Sequence, residues 1–332
     1  MNIVIQTPGS GLKLENNNYV LYLLDQKYTF PPDQVKSITI AKGASISSDA
    51  ILKAIENETD IIFVDNLGNP QGRIWSPKYG SISTIRINQI EFVFSPKATE
   101  LIINILTQKI DNFIAILLYL STVKPQFENN VQRSITALYD YKTKLQNIPI
   151  DIISEVAPKI RGWEGQAAKK YFETVAAILP PEFNFTQRGN PPAKDPINAI
   201  LNYLYGILYS KIEGSLIKAG LDPYVGILHR NEYNRPSLVF DIIELFRHWA
   251  DYVTFTLALR NEIDIDTFFI IQDDGTYWLD SLGKKIVIQA FNDYLSEIIT
   301  FNNLQRSREE YIQHYAHQLA QQIQNFKKHP QK

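Results

Sequence analysis

The sequence predicts an α+β protein in which a small N-terminal β-rich domain, residues 1–86, is followed by a larger all-helical domain, residues 87–332. In the first part, short apolar or alternating runs are separated by glycine, asparagine and proline, which is typical of strands and tight turns. From about Ile87 onward, apolar residues recur at helical spacing. A chain of 332 residues with 45% hydrophobic residues is long enough to bury two cores.

The N-terminal domain is predicted to contain mostly strands. The first four are expected at Ile3–Ile5, Leu12–Leu14, Tyr19–Leu24 and Val35–Ile40. One helix, about Ser48–Asn57, follows them. A strand at Asp60–Asp65 and a turn at Leu67–Pro70 complete this domain.

The second domain has long helical patterns, including SPKATELIINILTQKIDNFIAILLYL and NNVQRSITALYDYKTKLQNI. Its longest apolar run, Phe113–Leu120, is far shorter than the roughly 20 residues that span a bilayer, so it predicts a buried helix. A short hairpin is expected near Phe269–Leu279. A glutamine-rich C-terminal helix is expected to fray at Lys327, and its His314 and His317 have no third ligand for a metal.

Two segments of this domain place an acidic and an imidazole side chain next to predicted helices. RGWEGQAAKKYFETVAAIL predicts a helix over Arg161–Leu179 with Glu164 in its first turn. Farther on, an apolar helix ends at Gly220, and a turn with proline and glycine precedes His229.

A third segment, SLVFDIIELFRHWADYVTF, adds two more carboxylates. Ser237 is the predicted N-cap of this helix. At 100° per residue, Asp241, Glu244 and His248 lie within about 60° of one another on its surface.

Together these side chains form the ligand set that a divalent metal needs for phosphodiester chemistry, namely two carboxylates and an imidazole. Each has an ordinary structural alternative. Asp241, Glu244 and Asp251 could form the solvated face of an amphipathic helix. His229 could bond a backbone carbonyl in its turn, and Glu164 could be an acidic residue favoured by the helix dipole.

Four sequence blocks favour the metal interpretation. GWEGQAAKKYF, NPPAKDPINAILNYLYGIL, AGLDPYVGILHR and SLVFDIIELFR occur in this order and resemble the signature blocks of the CRISPR-associated integrase, the larger subunit of the spacer-acquisition complex. The resemblance implies that Glu164, His229 and Glu244 bind Mg²⁺ or Mn²⁺ and that Asp241 belongs to the same catalytic site. One departure is Asn190, where many relatives carry arginine.

The resemblance also implies an activity and partners. The expected enzyme is a metal-dependent DNA integrase and endonuclease that inserts foreign DNA into the CRISPR array when a DNA 3′-hydroxyl attacks a phosphodiester. The expected substrates are two double-stranded DNAs, the protospacer and the leader-repeat region of the CRISPR array. The N-terminal domain is expected to form a homodimer, and a small ferredoxin-like CRISPR-associated partner to complete a heterohexamer-type complex.

The charge of the chain constrains how it binds DNA. A net charge of −2 and a pI near 6.2 argue against bulk attraction to phosphate. Residues 159–247, however, carry a local charge of +2. The candidate phosphate contacts there are Arg161, Lys169, Lys170, Arg188, Lys194, Arg230, Arg235 and Arg247.

Composition and termini exclude several classes of protein. The absence of cysteine excludes disulfides and thiolate metal sites. MNIVIQTPGS lacks the pattern of a signal peptide, which predicts a cytoplasmic protein without a membrane anchor. Two other functions remain open: a stand-alone metal-dependent nuclease that acts on branched or single-stranded DNA in repair, and a non-catalytic DNA-binding scaffold that has kept the fold.

Overall fold

The structure, a computed structural model, describes residues 1–65, 70–74, 83–229, 235–301 and 303–326. The chain divides into two compact units, Met1–Ser81 and Ile82–Lys332. The first helix of the second unit already begins at Ser83, four residues before the predicted start of the helical region. The turn predicted at Leu67–Pro70 and the fraying predicted at Lys327 lie outside the described residues, apart from Pro70 itself.

In its described residues, the N-terminal unit contains two four-stranded sheets, one α-helix and one 3₁₀ turn. Its strands are β1 (Asn2–Ile5), β2 (Gly11–Glu15), β3 (Asn18–Leu23), β4 (Gln26–Phe30), β5 (Ser37–Ala41), β6 (Ser45–Ile46), β7 (Asp60–Val64) and β8 (Pro70–Ile74). One sheet has the order β1-β5-β7-β8, with β1, β5 and β7 parallel and β8 antiparallel. The other has the order β4-β3-β2-β6.

Alternating apolar residues and one amphipathic helix form the core of this unit. Ile38, Ile40 and Ile61 point into it from neighbouring parallel strands. The helix α1 (Ser48–Glu56) adds buried alanines, and Ser47 caps it by accepting a hydrogen bond from the third residue of the helix. The five strands predicted from sequence are confirmed, whereas β4, β6 and β8 were not predicted. β4 is largely exposed and polar, so it lacks the apolar alternation that identifies a strand.

The second unit is mostly helical. Its helices are α2 (Ser83–Val93), α3 (Pro96–Val123), α4 (Glu128–Gln146), α5 (Ile153–Ile178), α6 (Pro196–Lys218), α7 (Ser237–Ile242), α8 (Arg247–Leu259), α9 (Ile265–Phe268), α10 (Ser281–Ser296) and α11 (Arg308–Gln324). Short 3₁₀ turns lie at Pro32–Gln34 in the first unit and at Pro125–Phe127, Pro181–Phe183 and Ile243–Leu245 in this one.

Helix α3 is the central helix of this unit. By length and composition alone it could cross a membrane, yet 61% of its most apolar stretch is buried inside the protein. Fourteen of its residues are buried, including Phe113 and Leu120. The prediction of a buried helix at Phe113–Leu120 is therefore confirmed.

The prediction of a mainly helical second domain is confirmed, and two hairpins interrupt the helices in the described part of the chain. The predicted hairpin is present as β9 (Phe269–Ile271) and β10 (Tyr277–Leu279). A second one, β11 (Ile298–Phe301) with β12 (Leu304–Ser307), was not predicted. Asn303 adopts the left-handed conformation in its turn, with φ of 61°, which asparagine tolerates better than most residues.

Two helix starts next to the candidate site also differ from prediction. Helix α5 begins at Ile153, eight residues before the predicted start, and continues through Pro158. Glu164 therefore lies in the middle of the helix. The alternative that the helix dipole favours an acidic residue at this position is wrong, because that effect is confined to the first turn. Ser237 is the first residue of α7, and the N-cap is Pro236. The hydroxyl of Ser237 donates to the carbonyl of Arg235 and does not cap the helix.

The predicted helix after Ser237 is not continuous. It breaks into α7, the 3₁₀ turn Ile243–Leu245 and α8. A 3₁₀ turn advances about 120° per residue, so the face calculated for a regular helix is not maintained. Among the described contacts none joins His248 to Asp241 or Glu244, and burial lowers its pKa to about 3.

Candidate active site

The turn that carries His229 is fixed by a buried carboxylate on α7. Asp241, which is 2% exposed, accepts hydrogen bonds from the backbone N–H groups of Ile227, Leu228 and His229. The donor–acceptor distances are 2.5, 3.2 and 3.1 Å. Three backbone donors on one carboxylate hold the turn in a single conformation, because each would otherwise lose a bond in a buried place.

A glycine allows this turn to approach α7. A Cβ built on Gly226 would lie 2.5 Å from the Cβ of Ser237 and 2.7 Å from its carbonyl carbon. Real side chains do not tolerate such distances, so only glycine lets the turn pack against the first residue of the helix.

Asp241 also orients the imidazole of His229. The Nδ1 atom lies 2.7 Å from Oδ1 of Asp241. Because a carboxylate only accepts, Nδ1 carries the hydrogen, and Nε2 keeps its lone pair in the neutral ring. A histidine that donates to a carboxylate through one nitrogen and offers the other to a metal is a recurring arrangement in metalloproteins. Asp241 thus acts as a positioning residue for His229.

A lysine from the apolar helix α3 joins the two glutamates. The ammonium of Lys109 contacts Oε1 of Glu164 on α5 and lies 2.6 Å from Oε2 of Glu244. Lys109 and Glu244 are buried, whereas the side chain of Glu164 is 27% exposed. Three elements far apart in sequence therefore meet around one positive charge.

Arg247 completes the charge balance of this cluster. Its Nε donates to Oε1 of Glu244 at 2.9 Å, and its Nη2 donates to the hydroxyl of Tyr209 at 2.8 Å. Its guanidinium also stacks on the ring of Tyr205, 4.6 Å from the centroid. Two cations, Lys109 and Arg247, thus face two carboxylates.

The charges around Glu244 determine its ionisation. Burial by itself raises the pKa of this carboxyl, but Arg247 and Lys109 outweigh burial and hold the pKa at about 2. Burial also works against the charge of Lys109, whereas Glu164 and Glu244 favour it, and the net result is a raised pKa. Glu244, Lys109 and Arg247 are therefore charged near neutral pH.

We tested whether these residues suit a divalent metal. Among the described residues, no three His, Asp or Glu side chains form a cluster that is arranged to hold an ion, since Lys109 lies between the two glutamates. The donor set nevertheless fits. Oε2 of Glu244 is buried and has the Lys109 ion pair but no hydrogen bond of good geometry, so it retains a lone pair for a cation. Carboxylate oxygens with one imidazole suit Mg²⁺ or Mn²⁺.

A buried polar network contacts Arg247 and so supports the cluster. Asp251 is fully buried and accepts from the hydroxyls of Tyr171, at 3.0 Å, and Tyr205, at 2.6 Å. Burial raises the pKa of this carboxyl to about 6, although both hydroxyls favour its charged form. Because Tyr205 also stacks on Arg247, the network connects α5, α6 and α8 to the cluster.

The solvated-face alternative for the third segment is wrong. Asp241, Glu244 and Asp251 are 2%, 7% and 0% exposed. Buried carboxylates persist only where donors or cations compensate them, as they do here. These acidic groups are interior parts of the site and not surface decoration.

Three of the candidate phosphate contacts make hydrogen bonds within the protein. Arg161 donates to the carbonyl of Leu228 and so supports the His229 turn. Arg188 donates to the side chains of Asn198, at 2.6 Å, and Asn202, at 2.5 Å. Since Arg247 is equally occupied by Glu244 and Tyr209, a phosphate would have to compete with these internal bonds.

The other candidates differ in exposure. Lys169 and Lys194 have side chains that are 69% and 60% exposed. Lys170 is half-buried, and Arg235 lies over the ring of Phe240, 4.6 Å from its centroid. Arg230 lies outside the described residues. DNA contact remains a prediction for the exposed lysines.

The role of Lys109 was not predicted from the sequence. The available signal was a single lysine within the apolar helix LIINILTQKIDNFIAILL. A lysine is almost never buried without a partner, so its position predicts a carboxylate on a neighbouring element. Which carboxylate it meets depends on packing that the sequence does not specify.

Comparisons with known proteins agree with the resemblance of the four blocks. Residues 3–293 match the family of the CRISPR associated protein Cas1. The CRISPR-associated endonuclease Cas1 1 of Archaeoglobus fulgidus is 30% identical to this chain over 258 residues, which make up 74% of each protein.

Solved structures share the fold. A casposase bound to integration product aligns with a TM-score of 0.83 and 20% identity, covering 99% of this chain and 92% of that one. A chain of a Cas6-RT-Cas1–Cas2 complex aligns with a TM-score of 0.78 and 20% identity over 98% of this chain and 35% of its own length. At this identity the two structures show a common fold.

Proposed function

Since this chain belongs to the family of the CRISPR-associated protein Cas1, we propose that it inserts DNA fragments into a CRISPR array as a metal-dependent endonuclease and integrase. One observation carries the proposal. Glu164 and Glu244 converge on a single positive charge beside a histidine whose Nε2 is left available by Asp241. These are the donors that Mg²⁺ or Mn²⁺ takes in phosphodiester chemistry.

Each side chain of the proposed site has a separate role. Glu164 and Glu244 supply carboxylate oxygens, and His229 supplies its Nε2. Asp241 keeps the imidazole in the required tautomer, while Arg247 keeps Glu244 ionised and in place. When bound, a divalent ion supplies Lewis-acid activation of the phosphodiester and of the attacking hydroxyl.

The reaction is a transesterification on DNA. The 3′-oxygen of the incoming strand forms a bond to phosphorus, and the bond from phosphorus to the 3′-oxygen of the target strand breaks. With water as the nucleophile, the same residues would support hydrolysis. The chain therefore needs no nucleophilic side chain, and the five residues named above bind, orient or balance charge.

The proposed partners follow from the family and its structural neighbours. Double-stranded DNA is the proposed substrate, and the neighbour bound to integration product supports this choice. The neighbour in a Cas1–Cas2 complex supports a small second subunit. We further propose a homodimer formed through the N-terminal unit and an enzyme that works in the cytoplasm.

A strand-transfer assay tests the function. A short duplex with 3′-hydroxyl ends, a supercoiled plasmid with leader and repeat, Mn²⁺ and the cognate small partner are incubated with wild type, His229→Ala or Glu244→Ala. We expect joined products from wild type and a loss of at least about 100-fold in each variant, because each removes one proposed metal ligand. His317→Ala, which changes a histidine of helix α11, is the matched control and is expected to join normally.

The other outcomes separate the alternative functions. Cleavage without joining, lost in the same two variants, would keep the site and indicate a stand-alone nuclease. DNA binding without cleavage or joining would indicate a scaffold. Equal joining by wild type, His229→Ala and Glu244→Ala would contradict the proposed site.

A further inference from the structure

Lys109 pairs with both glutamates that are proposed to hold the metal ion. Its ammonium contacts Oε1 of Glu164 and Oε2 of Glu244. No other described carboxylate pairs with Lys109. The ammonium is therefore the cation that holds the two glutamates together in this structure.

Charge balance makes joint occupancy unfavourable. Lys109 and Arg247 already neutralise Glu164 and Glu244, so a divalent ion would place four positive charges beside two negative ones. Asp241, the third carboxylate of the site, is already occupied by His229 and three backbone N–H groups. In a largely buried site, like charges a few ångströms apart repel strongly.

The exposure of the side chains indicates that a divalent ion and the ammonium of Lys109 would reach the glutamates from different sides. Glu164 and His229 are 27% and 32% exposed, whereas Lys109 and Glu244 are each 8% exposed. An ion from solvent would arrive on the side of Glu164 and His229. Lys109 reaches the cluster from the interior, where the ring of Phe113 lies 5.5 Å from its Nζ and offers a cation–π contact.

We infer that Lys109 is a built-in cation that keeps Glu164 and Glu244 paired until a divalent metal displaces it. This inference rests on the proposed function, since it concerns the same site. Lys109 prevents repulsion between the two carboxylates in the metal-free protein. It also weakens metal binding, because the ion must replace an existing ion pair at each glutamate.

Calorimetric titration with Mn²⁺ tests the inference. Lys109→Met keeps a side chain of similar length and removes its charge. Glu164 would lose this ion pair and Glu244 would keep only the one with Arg247, so we expect the variant to bind Mn²⁺ at least about tenfold more tightly than wild type. Lys142→Met is the matched control. It removes another ion pair of α3, that of Lys142 with Asp111, and should leave Mn²⁺ affinity unchanged.

A labelling experiment on the wild-type protein does not depend on a variant that folds. Reductive methylation followed by mass spectrometry should modify Lys109 several-fold more in the presence of Mn²⁺, because the displaced amine has lost both carboxylates. Lys142 provides the internal reference in the same digest. Equal or lower labelling of Lys109 with Mn²⁺ would overturn the displacement.

The outcomes distinguish the inference from the function on which it rests. Equal or weaker Mn²⁺ binding by a folded Lys109→Met variant would show that Lys109 supports the metal site and would overturn the inference alone. If neither wild type nor Lys109→Met binds Mn²⁺, the proposed metal site itself fails and the inference fails with it.

Discussion

Replacing Asp241 with alanine is expected to lower the free energy of unfolding by about 2–4 kcal/mol and to lower strand transfer by at least about 100-fold. The stability loss follows from three buried backbone N–H groups, those of residues 227–229, that would lose their acceptor. The activity loss follows from the imidazole of His229, which would lose the bond that fixes its tautomer and orientation.

Urea denaturation and the strand-transfer assay measure the two effects of the Asp241 change. Asp111→Ala is the control, because it removes a half-exposed carboxylate whose only described ion pair is with Lys142 and should cost less than about 1 kcal/mol. Wild-type stability in Asp241→Ala would contradict the anchoring of the turn. If Asp241→Ala lost the expected stability but kept full strand-transfer activity, the bond from Asp241 to His229 would not be needed to orient the imidazole.

Replacing Arg247 with methionine is expected to destabilise the protein by about 3–5 kcal/mol, because it leaves the buried carboxylate of Glu244 with Lys109 as its single cation. The change also removes the bond to the hydroxyl of Tyr209 and the stacking on Tyr205. Thermal and urea unfolding measure this cost.

The Arg247 change also decides between two roles for this residue. If Arg247 contacted a phosphate, its replacement would weaken DNA binding, reduce the salt dependence of that binding and leave the stability of the protein nearly unchanged. Lys169→Met, which removes a largely exposed lysine, is the matched control for that behaviour. If Arg247→Met behaves like Lys169→Met in both measurements, the internal role of Arg247 is contradicted.

Local patterns were sufficient to predict much of the fold. The alternating runs of the N-terminal unit identified the five strands with apolar sides, and the helical spacing after Ile87 identified a mostly helical second unit. β4 was missed because an exposed strand has no apolar side. The prediction of a continuous helix after Ser237 was wrong. Its break coincides with contacts of Asp241 to residues 227–229 and of Glu244 to Lys109, which the local sequence pattern does not indicate.

The site was predictable only in part. Glu164, His229, Asp241 and Glu244 could be selected because they lie in three of the four ordered blocks that resemble a known family. Their surroundings could not be predicted, since burial of a carboxylate depends on which helices cover it. Lys109 lies 55 residues before Glu164 and 135 before Glu244 in sequence, and only the packing of α3 against α5 and the 3₁₀ turn brings the three together.

The position of Mn²⁺ in crystals of this protein tests the central claim most directly. Anomalous scattering is predicted to place one ion between a carboxylate oxygen of Glu164 and one of Glu244, with Nε2 of His229 about 2.0–2.3 Å from the metal. Nδ1 of His229 should still donate to Asp241, and the ammonium of Lys109 should have left both glutamates. An ion bound elsewhere, or an ammonium still seated between Glu164 and Glu244 at saturating Mn²⁺, would contradict the account.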